Sequence, residues 1–203
     1  MRFILASESP RRKELLSSIG IVFVTMPSSV TELDGSGSYF PHVPFLNAIL
    51  KAETVASEHP DALVLGADTV IEFENRIMGK PRSTDEACEM LMALSGKKHN
   101  VTTAVCLKNI LRGVEAVFCE TTVVEFNAFD RGTAEKYISS VHTLDKAGAY
   151  AIQEFGNLLV KNIRGPEDNV IGLPREKLKK SIYACGFGSL IMKDEPPVKA
   201  VSQ

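Results

Sequence analysis

Ala6-Ser7-Glu8-Ser9-Pro10-Arg11-Arg12-Lys13-Glu14-Leu15-Leu16 follows directly on the apolar run Phe3-Ile4-Leu5, and this hand-over from a short buried strand to a helix decides how the rest of the chain reads. Ser9 is placed to cap the helix, and Pro10 suits its first position, where the missing N–H costs nothing. Arg11 and Arg12 then fall in the first turn. The positive end of the helix dipole disfavours cations there by a few tenths to about 1 kcal/mol unless an anion offsets it. Backbone N–H groups, the hydroxyls of Ser7 and Ser9, and two guanidiniums at the C-terminal end of a strand together make a phosphate receptor. An ordinary capped helix with two solvated arginines would carry the same letters, so the remainder of the chain has to choose.

The 203 residues suit one domain, expected over 1–193, with 194–203 a frayed tail. Hydrophobic residues make up 44% and charged residues 24%, a balance that indicates neither disorder nor membrane residence. A formal charge of -2 gives no polyanion-binding signal, so no nucleic-acid partner is expected and any phosphate site must be local. Cys88, Cys106, Cys119 and Cys185 lack the C-x-x-C spacing of zinc or dithiol sites and read as buried free thiols. Met1-Arg2 leads into a strand without a signal-like apolar region, and no apolar run approaches the roughly 20 residues of a bilayer span. A reducing cytoplasm is the expected compartment, with no membrane partner.

Outward from the first helix, Gly20 is a natural stop and Ile21-Val22-Phe23-Val24 reads as a second strand. Pro27 to Pro44 is rich in Ser, Gly and Pro and reads as a long functional loop with Glu32 in it. Helical spacing of Phe45, Ala48, Ile49, Ala52 and Val55 predicts a helix over 43–58 that carries Lys51. Ala62 to Ala67 reads as a buried strand with Asp68-Thr69 at or near its end. A carboxylate there calls for a metal, a paired cation or a hydrogen-bonded role, because an unpaired buried charge costs several kcal/mol. Arg76 to Pro81 reads as a tight return that holds Lys80, and Ser83-Thr84-Asp85-Glu86 caps a helix with Ala87, Met90, Leu91 and Leu94 on one face. Segments 99–108 and 114–126 read as an antiparallel pair, 130–141 as a helix, Leu158-Leu159-Val160 with Ile163 as a strand, and Pro174 as the start of a last helix.

In this order the pieces resemble the Maf family of nucleoside triphosphate pyrophosphatases, in the superfamily of the inosine triphosphate pyrophosphatases. The resemblance runs from about Ile4 to Leu178. It rests on Ser7 to Leu16, Gly66-Ala67-Asp68-Thr69-Val70, Gly79-Lys80-Pro81, Leu94-Ser95-Gly96 with His99-x-Val101-x-Thr103, Asp145-Lys146-Ala147-Gly148-Ala149-Tyr150 with Ile152-Gln153, and Asn169-Val170-x-Gly172-Leu173-Pro174. It implies an α/β fold with an elongated, twisted mixed sheet flanked by helices, two lobes around a nucleotide cleft, and a homodimer. The implied reaction is NTP and water giving NMP and pyrophosphate with a divalent metal, Mg2+ or Mn2+. The branch acting on dTTP and UTP carries an Arg, a Thr and a Gln at three discriminating places, which map to Arg12, Thr69 and Gln153. Ala151 and Glu154 stand where the family favours Gly, and Gly165-Pro166-Glu167-Asp168-Asn169 replaces a more usual turn.

The chemistry assigns Asp68 and Glu32 as metal carboxylates, with Asp68 the preferred general base. Arg11, Arg12, Lys51 and Lys80 hold the triphosphate with Ser7 and the first helix's N–H groups, while Gln153 and Thr69 read a uracil or thymine edge. The four histidines show no zinc-ligand spacing, and G-x-S-x-G and Walker motifs are absent from the sequence. Two other readings stay open: a pyrophosphatase acting on 7-methyl-GTP or purine triphosphates, and a nucleotide-binding regulator of cell division that does not hydrolyse.

Overall fold

The computed structural model describes residues 1–34 and 41–191. The centre of the expected 27–44 loop and the expected tail lie outside the described residues. Strand β1 (Phe3–Leu5) passes through Ala6 to Glu8 into helix α1 (Pro10–Ser17), whose Ser9 cap accepts the Arg12 N–H as the sequence predicts. Strand β2 is only Val24–Thr25, parallel to β1; Ile21 instead packs into the core and bridges to Ile191. Helix α2 (Val43–Glu58) takes the predicted span.

Strand β3 (Leu63–Phe73) departs from the prediction, because it runs eleven residues and places Asp68 in its middle. It can do so because Lys51 and Asn47 of α2 both bond the carboxylate. A turn at Glu74-Asn75, both at positive φ, leads to β4 (Arg76–Met78), so the return falls two residues earlier than expected. Helix α3 (Thr84–Leu94), capped by Ser83, precedes the antiparallel pair β5 (Lys98–Asn109) and β6 (Val114–Phe126). Helix α4 (Arg131–Ser140) is capped by Asp130. Leu158 and Leu159 lie in a helical turn, α5 (Gly156–Leu159), rather than a strand: Phe155 enters the left-handed region at φ 53 and starts a turn there, so β7 begins only at Val160 (Val160–Arg164). Helices α6 (Glu167–Ile171) and α7 (Arg175–Ala184) follow. Of the cysteines, all free, Cys88 and Cys106 are buried as expected, but Cys119 and Cys185 are half-buried because they lie on a partly covered strand face and at a helix end.

The strands form one mixed sheet in the order β2-β1-β3-β5-β6-β7, with β4 beside the far half of β3. Residue alternation on β3 and β5 explains the two lobes. On one face Leu63, Leu65 and Ala67 with Val105 and Leu107 join a core under α1 and α7. Ile71 and Val101, further along the same face, join a second core with α3 and α4. Thr69 and Thr103 stand between them, so a polar belt replaces apolar packing where one core stops and the other starts. The opposite face is covered by α2, whose Ala48 and Ala52 meet Ile4, Val64 and Ala104.

The register also opens a gap. β1 pairs with β3 at Leu63 to Leu65, and β4 pairs with it at Ile71 to Phe73. Among the described residues, the β3 edge over 66–70 has no strand beside it on that side. Asp68 and Thr69 lie in this opening.

Candidate functional site

A cleft of about 580 Å³ occupies the opening. Its walls come from the β1–α1 turn, the segment after β2, α2, β3, Lys80 after β4, and the stretch from Asp145 to Gln153. All nine residues that the sequence reading placed in a site, Ser7, Arg11, Arg12, Glu32, Lys51, Asp68, Thr69, Lys80 and Gln153, line it. They come from six separate stretches of chain.

At the centre is an ion-paired triad. Lys51 is 6% exposed and donates to Asp68 Oδ1 at 2.8 Å, with Glu32 Oε1 3.0 Å from the same Nζ. The second Asp68 oxygen accepts from Asn47 Nδ2 at 3.2 Å. Asn47 and Lys51 are four residues apart on α2 and therefore share a face, one turn gripping each end of the carboxylate. Burial alone would raise the Glu32 pKa, but Lys51, then Lys80 and Arg12, outweigh it and hold the carboxyl below its ordinary value.

Arg12 is more committed than the sequence suggested. Its Nε donates to Gly172 O at 3.0 Å, Nη1 to Ser7 Oγ at 3.3 Å and Nη2 to Thr69 Oγ1 at 3.0 Å. Three of five guanidinium N–H groups are thus spent on the protein, leaving two for a ligand. Burial lowers its pKa, opposed by Asp68 and Glu32. Thr69 continues the chain through Thr103 Oγ1 at 2.9 Å, and Thr103 donates to Asn169 O at 2.8 Å. Gly172, at φ 126, brings its carbonyl to Arg12 in a backbone conformation that favours glycine. By contrast Arg11 and Lys80 make no hydrogen bond or ion pair among the described residues, and both line the cleft. They are its uncommitted cations.

The wall carrying Gln153 is pinned from behind. Tyr137, fully buried on α4, accepts the Ala151 N–H at 3.0 Å and donates to Ala151 O at 3.2 Å. Lys146 pairs with Asp145 at 2.9 Å and Glu154 at 3.3 Å, so Glu154 is tied to a neighbouring motif. His99 bonds the Tyr150 hydroxyl through Nε2 at 2.7 Å and packs edge-on to Phe126, and burial lowers its pKa to about 4. It is a packed, hydrogen-bonded residue.

Sequence reasoning missed Asn47, Tyr137, Thr103 and Lys146 as parts of the site's support. Asn47 and Tyr137 had no local signature, whereas Thr103 and Lys146 lay inside recognised motifs without an assigned role. Among the described residues no group of three or more His, Cys, Asp or Glu side chains could hold a metal ion. Mg2+ needs only one or two carboxylates when phosphates and water complete its shell. Glu32 and Asp68, held about one ammonium and with lone pairs remaining, fit that smaller donor set. Among the described residues, no helix is long and apolar enough to cross a membrane.

Known proteins resemble the chain along nearly its whole length. A family model described as "Maf-like protein" matches residues 2–185. A protein of Akkermansia muciniphila named dTTP/UTP pyrophosphatase is 41% identical over 186 residues, 91% of this chain and 96% of its own. Namesakes from Bacillus cereus (42% over 181 residues, 89% and 94%) and Bacillus cytotoxicus (41% over 188 residues, 93% and 97%) are equally similar. Among solved structures, the Staphylococcus aureus Ham1 protein superposes with a TM-score of 0.49 at 18% identity, covering 91% of this chain and 99% of that one.

Proposed function

The chain belongs to the Maf family of nucleotide pyrophosphatases, and we propose that it hydrolyses dTTP and UTP to the monophosphate and pyrophosphate. The observation that carries this reading is the convergence, in one cleft, of a Glu32–Lys51–Asp68 ion-paired centre with the Arg12–Thr69 pair and Gln153. Relatives at 41–42% identity, named for these two substrates, support the same choice.

In this mechanism Arg11, Lys80 and the uncommitted N–H groups of Arg12 bind the triphosphate, with the helix N-terminus adding its partial positive charge. Glu32 and Asp68 hold the divalent cation, Mg2+ or Mn2+, which when bound offsets phosphate charge. A water oxygen bonds to the α-phosphorus as that phosphorus separates from its bridging oxygen, and the pyrophosphate leaves with the electron pair. Asp68 takes the proton of the water. Lys51 orients both carboxylates before the nucleotide arrives, so little reorganisation is left for the transition state. Gln153, whose amide both donates and accepts, reads the pyrimidine edge with Thr69. The same reading makes the protein a cytoplasmic homodimer, which sedimentation of the purified chain would test.

The deciding experiment is a metal-dependent pyrophosphate-release screen against dTTP, UTP, CTP, the purine triphosphates and 7-methyl-GTP. Preference for dTTP and UTP is expected, with turnover abolished in a folded Asp68→Asn variant. Preference for 7-methyl-GTP would overturn the substrate reading, and full activity in Asp68→Asn would overturn the general base.

A further inference from the structure

Glu32 is contributed by a stretch that packing does not explain. Residues 27–34 have no regular secondary structure, the Glu32 side chain is 47% exposed and Leu33 is 39% exposed, so apolar burial does not hold them. A buried side chain grips the backbone there. Asn47, 2% exposed on α2, accepts the Leu33 N–H through Oδ1 at 2.8 Å and donates to Leu33 O through Nδ2 at 3.0 Å. Its second Nδ2 hydrogen goes to Asp68 Oδ2. An asparagine amide has two donors and a two-lone-pair acceptor, and here both donors and the acceptor are in use.

We propose that Asn47 is a positioning residue that assembles the two-carboxylate centre, clamping the Leu33 peptide so that Glu32 stands against Lys51 and Asp68. This rests on the proposed role of those carboxylates. Lys51 cannot substitute for it. Its ammonium on a flexible four-carbon stem attracts Glu32 from many directions, whereas a planar amide bonded to both the N–H and the C=O of one residue sets direction as well as distance. Because the same amide touches Asp68, the spacing of the two acids is set by one rigid group. Neither aspartate nor leucine reproduces it: aspartate loses both donors and puts a second negative charge against Asp68, and leucine has no polar atom.

The test compares wild type with Asn47→Leu and Asn47→Asp. Expected for both is a fall in kcat of about 100-fold, the scale on which a misplacement of about 1 Å acts, with KM for dTTP changed less than about threefold. Cleavage after Glu32 by a Glu-specific protease should rise about tenfold, because the clamp that keeps the peptide out of a protease's extended grip is gone. A merely structural role would lower the melting temperature without this local cleavage or the split between kcat and KM. If either variant fails to fold, hydrogen exchange in the wild type decides: the Leu33 amide should exchange at least about tenfold more slowly than its unstructured rate. An unprotected Leu33 amide, or folded variants with wild-type kcat and cleavage, overturns the proposal. Failure of the wild type to hydrolyse any nucleotide would instead overturn the functional reading, and leaves the exchange and cleavage results to judge the clamp by themselves.

Discussion

Replacing Gly66 by alanine adds one methyl group at the place where α2 lies directly on the backbone of β3. A Cβ built there falls 2.2 Å from Ala48 O, 2.7 Å from Ala52 N and 3.0 Å from Ala52 Cβ. Two of these three atoms belong to helix backbone, so no rotamer change relieves the contact. Restoring an ordinary contact with Ala48 O requires α2 to withdraw by about 1 Å, and overpacking of this kind costs about 1–3 kcal/mol, more where backbone must move. The displacement has a specific consequence at the site. Lys51 is long enough to follow and keep its 2.8 Å bond to Asp68, but Asn47 is short, and its 3.2 Å bond to the same carboxylate would open beyond hydrogen-bonding distance. Gly66→Ala should therefore lose about 3 kcal/mol in urea denaturation and, in the fraction that stays folded, lose turnover more than dTTP affinity. Wild-type stability together with wild-type kcat would refute the argument that close approach of this helix builds the centre.

Two further outcomes follow from buried polar groups. Thr103→Val removes the acceptor of the Thr69 hydroxyl and leaves Asn169 O without its donor, a loss of about 1–3 kcal/mol; preference for dTTP over 7-methyl-GTP should weaken with it, while Thr103→Ser retains both, and a Val variant of unchanged selectivity would separate Thr103 from base reading. His99 has its pKa lowered by burial to about 4 in the folded protein against 6.5 ordinarily, so on acidification the unfolded chain binds the proton first and stability that is complete above pH 6.5 is lost between 6.5 and 4, by up to about 3 kcal/mol; His99→Phe should flatten that stretch of a stability-against-pH curve, and an unchanged slope would assign the acid sensitivity to other groups.

Local signals in the chain were read where the physics is local. Ser9 before Pro10 and Ser83 three residues before Glu86 each supply an oxygen for an otherwise unpaired helix N–H, and each caps a helix here. The misreadings share the opposite cause. Asp68 looked like the end of a strand because a charge interrupts an apolar run, yet its compensation lies seventeen and twenty-one residues back, on Lys51 and Asn47, once α2 has packed. Leu158 and Leu159 carried the apolar letters of a strand, and it was the left-handed turn at Phe155, a conformation uncommon for a non-glycine residue, that made them helical. Asn47 itself has no sequence signature, since an asparagine on a helix face shows its purpose only when the 33rd residue arrives beside it.

The two arginines at the positive end of α1 posed a cost without an evident return, and the structure divides that cost between them. Arg12 is offset inside the protein: Gly172 O, Ser7 and Thr69 accept from it, and Asp68 and Glu32 act on it through space. It is a strut that ties the first helix to β3 and to the residue after α6, across the seam between the two cores. Arg11 makes no hydrogen bond or ion pair among the described residues and has only the through-space action of Asp145, although it faces the same cleft from the same helical turn. Lys80 likewise makes no hydrogen bond or ion pair among the described residues, although it and Glu32 act on each other through space and it helps hold that carboxyl down. A cleft that leaves Arg11, in the first turn of a helix, and Lys80, after β4, without hydrogen-bonded partners among the described residues while tying Arg12 and Lys51 to the protein suits an anion that arrives from outside. Under the function we propose, the labour divides accordingly: the triphosphate would be met chiefly by Arg11 and Lys80, while Arg12 keeps Thr69 in place beside it.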